Sequence, residues 1–333
     1  MPLTETKATW LVTGGAGFIG SHLVETLLRE GQRVVVLDSL VTGHQRNLDD
    51  AVKRAGEGAG SRFTFHKGDI TSLQNCEAAC AGVDYVLHQA ALGSVPRSIA
   101  FPLDSHRANV DGFVNMLIAA RDAKVKRFVF ASSSSVYGDD PTLPKVESRT
   151  GRVLSPYAAT KHINEVYASV FQRTYGMQTI GLRYFNVFGP RQDPNGAYAA
   201  VIPRWMAALV EDKPCLINGD GSTSRDFCFV ANAVQANIRA ALTQVPGATD
   251  CVYNVAVGGK TSLLELYELI VTRLAKQKPS IAGLEPVFQP FRLGDIKDSQ
   301  ADISRAREKL GYAPTHTVAQ GMDETVAYVA SGG

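Results

Sequence analysis

The sequence lacks an apolar run of the roughly 20 residues that a membrane span requires. Its first residues, MPLTETKAT, contain no basic segment followed by an apolar core, so we expect no secretory signal. A strong excess of either charge is also missing, since the formal net charge is +2 over 333 residues. This balance does not favour nucleic acid or an anionic membrane as a partner. We therefore expect a cytoplasmic protein that binds neither.

Cysteine is scarce, and the spacing of the five cysteines indicates neither a disulfide framework nor a metal site. Cys76 and Cys80 are four residues apart, but no histidine or further thiol nearby completes a ligand set. We therefore expect no metal, and small buried thiols in a reducing compartment. The remaining composition, 45% hydrophobic and 20% charged, is that of an ordinary globular protein with about two domains.

A glycine-rich loop separates two apolar segments in TWLVTGGAGFIGSHLVETLL, residues 9–28. The first segment resembles a short buried strand, and the second repeats apolar residues at helical spacing from Ile19 to Leu28. Glycine costs roughly 0.5–1 kcal/mol in a regular element relative to alanine, so the loop indicates a tight turn or a close ligand. In a strand–loop–helix unit, that ligand is a dinucleotide pyrophosphate at the helix N-terminus. The glycines are Gly14, Gly15, Gly17 and Gly20.

A carboxylate follows the next predicted strand. Residues Arg33 to Leu37 of RVVVLDSL form a β-branched run that ends at Asp38, at about the distance a βαβ unit requires. A carboxylate there can accept hydrogen bonds from both ribose hydroxyls of adenosine, and it would repel a 2′-phosphate. The position favours NAD over NADP, and the alternative is a solvated aspartate in a turn.

Strand-like and helix-like segments alternate through the first half of the chain, which predicts an α/β fold. We expect a Rossmann-type doubly wound parallel sheet that binds its ligand at the carboxyl ends of the strands. After Arg183, prolines, glycines and aromatics become frequent, which favours a smaller α+β substrate domain at the C-terminus. We expect domains at residues 1–183 and 184–333, with some interleaving of the chain. The predicted strands are Thr9–Thr13, Arg33–Asp38, Arg62–His66, Tyr85–Gln89, Arg127–Ser132 and Gln178–Arg183, and the main helices are Ser105–Ala123 and Pro156–Tyr175.

Tyr157 and Lys161 are four residues apart on a predicted helix, so their side chains share one face. A phenol has a pKa near 10, and lowering it to about 7 requires roughly 4 kcal/mol. One cation about 5 Å away contributes about 3 kcal/mol at an effective dielectric constant of 20. Lys161 and an oxidised nicotinamide together would therefore suffice to make Tyr157 a base.

Four consecutive serines, Ser132 to Ser135, end the strand in FVFASSSSVYG. Hydroxyls at a strand end can bind a substrate alcohol and relay its proton to a phenolate, whereas a polar turn would satisfy only its own backbone. The serines and the Tyr-x-x-x-Lys pair are weak signals when taken singly. Together with the glycine loop and Asp38, in this order along the chain, they form a specific combination.

These motifs resemble those of the extended short-chain dehydrogenase/reductase family. The resemblance extends through nearly the whole chain, in TGGAGFIG, LDSL, GDI, HQAA, SSSSVYG, YAATK, LRYFNVFGPRQ and GDGSTSRDF. Within the family the chain is most similar to nucleotide-sugar 4-epimerases, and GSVPRS, DPNGAYAAVIPRW and GDIKDSQAD favour the group that acts on UDP-N-acetylglucosamine. The resemblance implies NAD, a UDP-sugar substrate and a homodimer formed through helices near Ser105–Ala123 and Pro156–Tyr175.

The resemblance also implies individual roles. Tyr157 is the expected base, Lys161 binds the nicotinamide ribose, and Ser133 and Ser134 relay the proton. The cofactor-binding residues it implies are Gly14, Gly17, Phe18, Ile19, Gly20, Asp38, Asp69, Ile70, Gln89, Ala90, Ala91, Asn109, Ser132, Tyr157, Lys161, Tyr184 and Val187. The substrate-binding residues it implies are Gly93, Ser94, Ser133, Ser134, Asn186, Gln192, Ala200, Val201, Arg204, Trp205, Asn218, Arg225, Arg292, Asp295 and Ser299. Surface or packing roles are the alternative for each.

The implied reaction inverts carbon 4 of the sugar. Tyr157 takes the proton of the 4-hydroxyl while carbon 4 gives a hydride to NAD, and the 4-keto sugar turns over before the hydride returns. Similar dehydratases carry an acid pair where Ser133 and Ser134 stand, so we do not expect elimination. The open alternatives are a UDP-glucuronic acid epimerase or decarboxylase, a dehydrogenase that releases its cofactor, and a non-catalytic NAD-binding scaffold.

The prediction that the substrate is an N-acetylated sugar depends most on Ser299, in GDIKDSQAD. In the resembling epimerases this position lies beside the carbon 2 substituent, where tyrosine leaves room for a hydroxyl but not for an acetamido group. Serine would leave room for the N-acetyl arm, and Asn186 and Gln192 could hydrogen-bond it. The alternative is that Ser299 only caps a helix that begins near Ile303.

Overall fold

The computed structural model describes residue 3 and residues 7–195, 199–291 and 297–332. Its strands are β1 Thr9–Thr13, β2 Arg33–Asp38, β3 Phe63–Lys67, β4 Tyr85–His88, β5 Arg127–Ser133, β6 Thr179–Tyr184, β7 Val187–Phe188, β8 Leu216–Asn218, β9 Ser224–Arg225, β10 Cys228–Phe229, β11 Cys251–Val255, β12 Thr261–Ser262 and β13 Val287–Gln289. Its α-helices are α1 Phe18–Arg29, α2 Gln45–Arg54, α3 Leu73–Cys80, α4 Val95–Ala100, α5 Pro102–His106, α6 Gly112–Asp122, α7 Pro156–Tyr175, α8 Val201–Val210, α9 Val230–Leu242, α10 Leu263–Leu274, α11 Ser304–Leu310 and α12 Val318–Ala330. Short 3₁₀ turns span Gly60–Arg62, Ser134–Tyr137 and Pro279–Gly283, and a π-helical turn spans Arg107–Asp111.

A seven-stranded parallel sheet lies at the centre, in the order β11–β6–β5–β4–β1–β2–β3. The direction of strand order reverses between β1 and β4, and a doubly wound sheet opens a ligand crevice at such a point. The predicted Rossmann-type fold is therefore confirmed. Strand β11 comes from the second half of the chain, and the division into domains at residue 183 stays a prediction.

Strand β1 shows why helices cover both faces of the sheet. Trp10 and Val12 pack into one buried cluster with α1 and α9, whereas Leu11 packs into a second cluster with α3 and α6. Because successive side chains of a strand point to opposite faces, a continuously apolar strand needs a helical layer on each side. Cys76 and Cys80 lie in the second cluster as free thiols, where burial raises the pKa of each to about 12. The prediction of small buried thiols is confirmed for this pair.

Helix α7 has the predicted bounds. The Ser155 hydroxyl accepts a hydrogen bond from the Ala158 N–H and caps its start, and Gly176 ends it in the left-handed conformation at φ 70°. The predicted helical stretch Ser105–Ala123 is confirmed, since α5, the π-helical turn and α6 follow one another without a break from Pro102 to Asp122. At this wide turn the Asn109 amide bonds both backbone groups of Leu92, so its side chain serves a neighbouring loop.

A third buried cluster lies in the C-terminal half. It joins α8, α10 and α12 around aromatic and aliphatic residues such as Trp205, Phe229 and Ile270. Three two-stranded pairings flank it: β7 with β10, β9 with β12, and β8 with β13. None of the helices within the described ranges is long and apolar enough to cross a membrane.

Candidate active site

The glycine loop lines a cavity of about 450 Å³ at the carboxyl ends of the central strands. Gly14 has φ +67°, and a Cβ there would lie 2.7 Å from the Ala90 backbone nitrogen. A Cβ on Gly20 would collide with the Gly14 carbonyl, so the loop and α1 approach each other more closely than any side chain permits. Helix α1 has no side-chain cap, which leaves its first N–H groups for an anionic ligand.

Asp38 ends β2 beside this loop. One carboxylate oxygen accepts the Ala16 N–H at 2.9 Å, and the other accepts the Leu40 N–H at 2.8 Å. The carboxylate therefore connects the glycine loop with the turn after β2, while Asp38 still lines the cavity. Each oxygen has a second lone pair, so it can also accept a ribose hydroxyl.

Most of the predicted cofactor residues line the cavity. They are Gly14, Gly17, Phe18, Ile19, Gly20, Asp38, Asp69, Ile70, Gln89, Ala90, Ala91, Ser132, Tyr157, Lys161 and Tyr184, and Gly93 of the predicted substrate set lines it too. The sequence analysis missed Leu37, Ser39, Val41, Thr42, Gly43, His44, Asn47, Gly68, Leu92, Ala108, Ala131, Arg191 and Asp193. Several of these follow β2, β3 or β4 directly, and that position is the signal that could have found them.

Two predicted cofactor residues lie outside the cavity lining. The Asn109 amide bonds Leu92 and the Thr160 hydroxyl, so it supports a lining loop instead of contacting the space itself. Val187 lies in β7, pairs with Cys228 and packs against the buried clusters. The structure gives both residues a supporting position, and their direct contact with the cofactor stays a prediction.

Tyr157, at the start of α7, lines the cavity opposite the glycine loop. The Ser133 hydroxyl, at the end of β5, acts to lower the pKa of this phenol, but burial has the larger effect and raises the pKa of Tyr157 above its usual value. In the protein alone the pKa of Tyr157 is therefore raised, and its predicted lowering by Lys161 together with an oxidised nicotinamide stays a prediction. A phenolate here requires additional positive charge in the cavity.

Lys161 lies one helical turn after Tyr157 and is buried, with its Nζ 2.8 Å from the Ala131 carbonyl oxygen. Burial lowers the pKa of Lys161 to about 8, and the nearby Glu165 carboxylate opposes this by raising it. Lys161 therefore still carries most of its charge at neutral pH, but it is close to losing it. Glu165 thus helps to keep the only lysine in this lining charged.

The sequence analysis did not find the role of Glu165. Its carboxylate pairs with Arg183 of β6, at 2.9 Å from Nε and 2.8 Å from Nη2, and it accepts the Ser132 hydroxyl at 2.5 Å. Arg183 and Ser132 are both buried. Glu165 lies eight residues after Tyr157 on the inward face of α7, and this helical periodicity is the signal that could have found it.

Tyr184 belongs to a closed ring of three hydrogen bonds. Its hydroxyl donates to Gln89 at 2.9 Å and accepts from the Asn237 amide at 2.7 Å, while the Gln89 amide donates to Asn237 at 3.0 Å. Each hydrogen-bond donor in the ring faces an acceptor, so the ring fixes the Tyr184 and Gln89 side chains in the cavity wall. Asn237 was missed, since it lies far along the chain on α9.

The predicted substrate residues divide into groups. Trp205 is buried, and its indole N–H donates to the Leu216 carbonyl at 3.1 Å, so it packs within the domain, and its contact with substrate stays a prediction. Ala200 and Val201 begin α8, Arg204 is exposed on it, and Asn218 ends β8. Ser94 caps α4, and Ser134 begins the 3₁₀ turn after β5. Arg292 and Asp295 lie outside the described residues.

Two amide side chains lie beyond Tyr184. Asn186 has φ +34°, and its amide donates to the Asp226 carbonyl at 3.4 Å. The Gln192 amide donates to the Val187 carbonyl at 3.4 Å, whereas its Oε1 is buried with no hydrogen-bond partner among the residues that the structure describes. An unpaired buried acceptor costs about 1–3 kcal/mol, and a ligand N–H could satisfy it.

Ser299 lies against β9, because its N–H donates to the Ser224 carbonyl at 3.1 Å. This contact places it next to Arg225, the predicted diphosphate-binding arginine. The alternative role of Ser299 as a helix cap is wrong: Ile303 occupies the cap position of α11, and the Asp302 carboxylate accepts the Ser304 N–H at 2.7 Å.

Comparison with known proteins agrees with this geometry. The model of the NAD dependent epimerase/dehydratase family matches residues 10–256. A UDP-glucose 4-epimerase of Mycolicibacterium smegmatis is 38% identical over 96% of this chain and 97% of its own length, and a UDP-glucuronate 4-epimerase of Thermodesulfobacterium geofontis is 31% identical over 95% and 94%. A UDP-N-acetylglucosamine 4-epimerase from Methanobrevibacter ruminantium, solved in complex with UDP-N-acetylmuramic acid, superposes with a TM-score of 0.89 at 37% identity, covering 98% of this chain and all of that one.

Proposed function

Because the chain belongs to the NAD-dependent epimerase/dehydratase family and uses NAD, we propose that it is a UDP-sugar 4-epimerase whose substrate is UDP-N-acetylglucosamine. The observation that carries the proposal is the placement of Tyr157 and Lys161 in the wall of the same cavity as the glycine loop and Asp38. Similar proteins that act on UDP-glucose, UDP-N-acetylglucosamine and UDP-glucuronate support the reaction class and leave the sugar to be argued from this chain.

The cavity residues fit NAD. Gly14 and Gly20 leave a cradle that any Cβ would fill, which suits a pyrophosphate held on backbone N–H groups at the start of α1. Asp38 offers carboxylate lone pairs to the adenosine ribose and disfavours a 2′-phosphate. When bound, NAD supplies a nicotinamide that takes a hydride from carbon 4 and gives it back.

The protein's part in the chemistry is proton transfer and orientation. Tyr157 accepts the proton of the sugar 4-hydroxyl, and Ser133 bonds the same hydroxyl and relays the proton. Burial keeps the pKa of Tyr157 high in the protein alone, so the positive nicotinamide has to supply part of the lowering. Lys161 adds its charge below about pH 8 and is placed to bind the nicotinamide ribose.

Two features support the acetylated sugar. Ser299, which lies beside Arg225, is a small residue, and if it lies beside carbon 2 as the family resemblance implies, it would leave room for an acetamido group. The buried Oε1 of Gln192, which has no partner within the described part of the chain, would accept an acetamido N–H, and a site with such a bond disfavours sugars that lack it.

A product assay tests the proposal. The purified protein is given UDP-N-acetylglucosamine, UDP-glucose or UDP-glucuronic acid, with no NAD added, and the products are separated by chromatography. We expect the 4-epimer of the acetylated sugar to form with the highest kcat/KM. A higher kcat/KM for UDP-glucuronic acid, or release of carbon dioxide from it, would replace the proposed substrate. Strict dependence on added NAD would favour a dehydrogenase.

The Tyr157→Phe variant tests whether Tyr157 is the base. The variant loses the proton acceptor and little volume, so we expect kcat to fall by about 10²–10⁴-fold. Bound NAD and thermal unfolding should stay at the parent values. More than half of the parent activity would exclude Tyr157 as the base, and undetectable activity in the parent on all three sugars would favour a non-catalytic scaffold.

We also propose that the protein is a homodimer. An apolar surface runs across α5 and α7, where Leu103 is 67% exposed, Phe101 is 54% exposed and Val166 is 51% exposed. A second copy of the same surface would cover it, since twofold interfaces are self-complementary. Light scattering at micromolar concentration should give twice the chain mass, and Val166→Glu should give a monomer. A monomeric parent protein would refute this surface as an interface.

A further inference from the structure

The segment that carries Ser299 is held in place by buried hydrogen bonds that the sequence did not indicate. We define it as the Ser299 segment, residues 297–302. On one side it follows β9: the Ser224 N–H donates to the Lys297 carbonyl at 3.0 Å, and the Ser299 N–H donates back to Ser224 at 3.1 Å. The Ser224 hydroxyl also donates to the Asp298 carboxylate at 2.5 Å. These contacts fix the register of the segment against the candidate diphosphate site.

Asp226 joins this segment to the loop after β11. Its side chain is fully buried, and it accepts the N–H groups of Val257 at 3.0 Å, Gly258 at 3.1 Å and Ala301 at 3.2 Å. A carboxylate can accept all of these bonds at once because it has only acceptor positions. Burial raises the pKa of Asp226 to about 6, and the backbone N–H groups oppose this effect.

Asn254 joins the other end of the segment to the turn after β5. Its amide donates to the carbonyls of Lys145 and Asp302, each at 2.9 Å, and its oxygen accepts the Tyr137 hydroxyl at 2.6 Å. The Lys145 backbone also pairs with the segment, by donating to Gln300 at 2.8 Å and accepting from Asp302 at 2.9 Å. Tyr137 closes the 3₁₀ turn that directly follows Ser133.

A continuous set of bonds therefore runs from the turn beside Ser133, through Tyr137 and Asn254, to the Ser299 segment and Asp226. We propose that Asp226 and Asn254 are positioning residues for the UDP-sugar, which hold Ser299 at a fixed separation from Ser133. Neither residue touches the reacting atoms. The inference rests on the proposed function, since Ser299 and Ser133 are taken as opposite sides of the sugar compartment.

Isosteric substitutions break the network with no change in side-chain volume. Asp226→Asn turns one acceptor into a donor that faces backbone N–H groups, and Asn254→Asp places a carboxylate against two carbonyl oxygens. Both changes put like groups together in buried surroundings, so the Ser299 segment has to move. Asp139→Asn is the matched control, because asparagine keeps the bond that Asp139 accepts from the Arg152 backbone N–H and loses only an exposed ion pair with the Arg152 side chain.

The test compares these variants in steady-state kinetics and in UDP binding by calorimetry. For Asp226→Asn and Asn254→Asp we expect KM for the UDP-sugar to rise at least tenfold, while kcat changes less than threefold. The ratio of kcat/KM for UDP-N-acetylglucosamine over UDP-glucose should change at least fivefold. NAD content and Asp139→Asn should match the parent. Folded variants with parental KM and sugar ratio, or with a loss confined to kcat, would overturn the proposal.

Two further measurements cover the cases in which a variant fails to fold or the parent protein is inactive. If either buried variant fails to fold, Tyr137→Phe keeps the ring and removes the hydroxyl that donates to Asn254, so a smaller rise in KM of about threefold is expected. A parental KM would then refute the network. If the parent protein turns over no UDP-sugar, the proposed function fails. The positioning role is then read from UDP affinity, which should weaken at least fivefold in Asp226→Asn and stay unchanged if the role is absent.

Discussion

Glu165→Gln should be among the most destabilising conservative changes in this protein. The carboxylate makes two bonds of 2.9 and 2.8 Å with Arg183 and accepts the Ser132 hydroxyl at 2.5 Å. Arg183 is only 3% exposed, so its charge has no access to solvent when the pair is broken. Breaking a buried ion pair from one side costs about 3–5 kcal/mol. Because glutamine keeps one acceptor oxygen, we expect the free energy of unfolding to fall by about 3 kcal/mol, the lower end of this range.

The assay is denaturant unfolding of nucleotide-free protein, followed by far-UV circular dichroism. The matched control is Asp323→Asn, which breaks the ion pair with Arg273 at the surface, where Asp323 is 61% exposed. Exposed pairs contribute about 1 kcal/mol or less, so the control should stay close to the parent. If Glu165→Gln lowers the free energy of unfolding by no more than Asp323→Asn does, the buried ion pair does not have the predicted effect.

The remaining predictions concern Lys161, Asp38 and Ser299. The pKa of Lys161 is about 8 in the folded protein and 10.5 as a free group, so the unfolded chain binds more protons between these values and stability rises with pH there. Between pH 8 and 10.5, the free energy of unfolding of the nucleotide-free parent, measured in urea, should therefore rise by about 3 kcal/mol relative to that of Lys161→Met. A difference between the two proteins that does not change with pH would contradict the burial effect. Nucleotide extracted from the purified protein should be NAD, because the Asp38 carboxylate repels a 2′-phosphate; a majority of NADP would contradict the role of Asp38. Ser299→Tyr should suppress kcat/KM for UDP-N-acetylglucosamine and spare UDP-glucose, whereas an equal fall for both sugars would mean that Ser299 is structural.

The local chemistry of the cofactor cleft was predictable from sequence. The strand–glycine–helix unit, Asp38 at a strand end and the Tyr157–Lys161 spacing are short-range patterns, and the parallel sheet forced by the βα repeats collects them at one edge. Helix α7 could be placed to the residue because Ser155 and Gly176 are strong boundary signals. The helical stretch Ser105–Ala123 was also predictable, but the π-helical turn within it was not, since this turn accompanies contacts between Asn109 and a loop of remote sequence.

The amino-acid sequence by itself determined the fold class, the cofactor and the candidate base, because periodicity and spacing encode elements and their order. Only the tertiary structure decided which buried polar residues hold the side chains of the site and the Ser299 segment in place. Hydrogen-bonded partners in the site lie far apart along the chain: the separations are 18 residues for Glu165–Arg183, 148 for Gln89–Asn237 and 75 for Asp226–Ala301. No local sequence pattern predicts such a pair. Hydrogen bonds to buried groups are satisfied wherever the fold brings a complementary atom, so their identity follows from packing and not from sequence spacing.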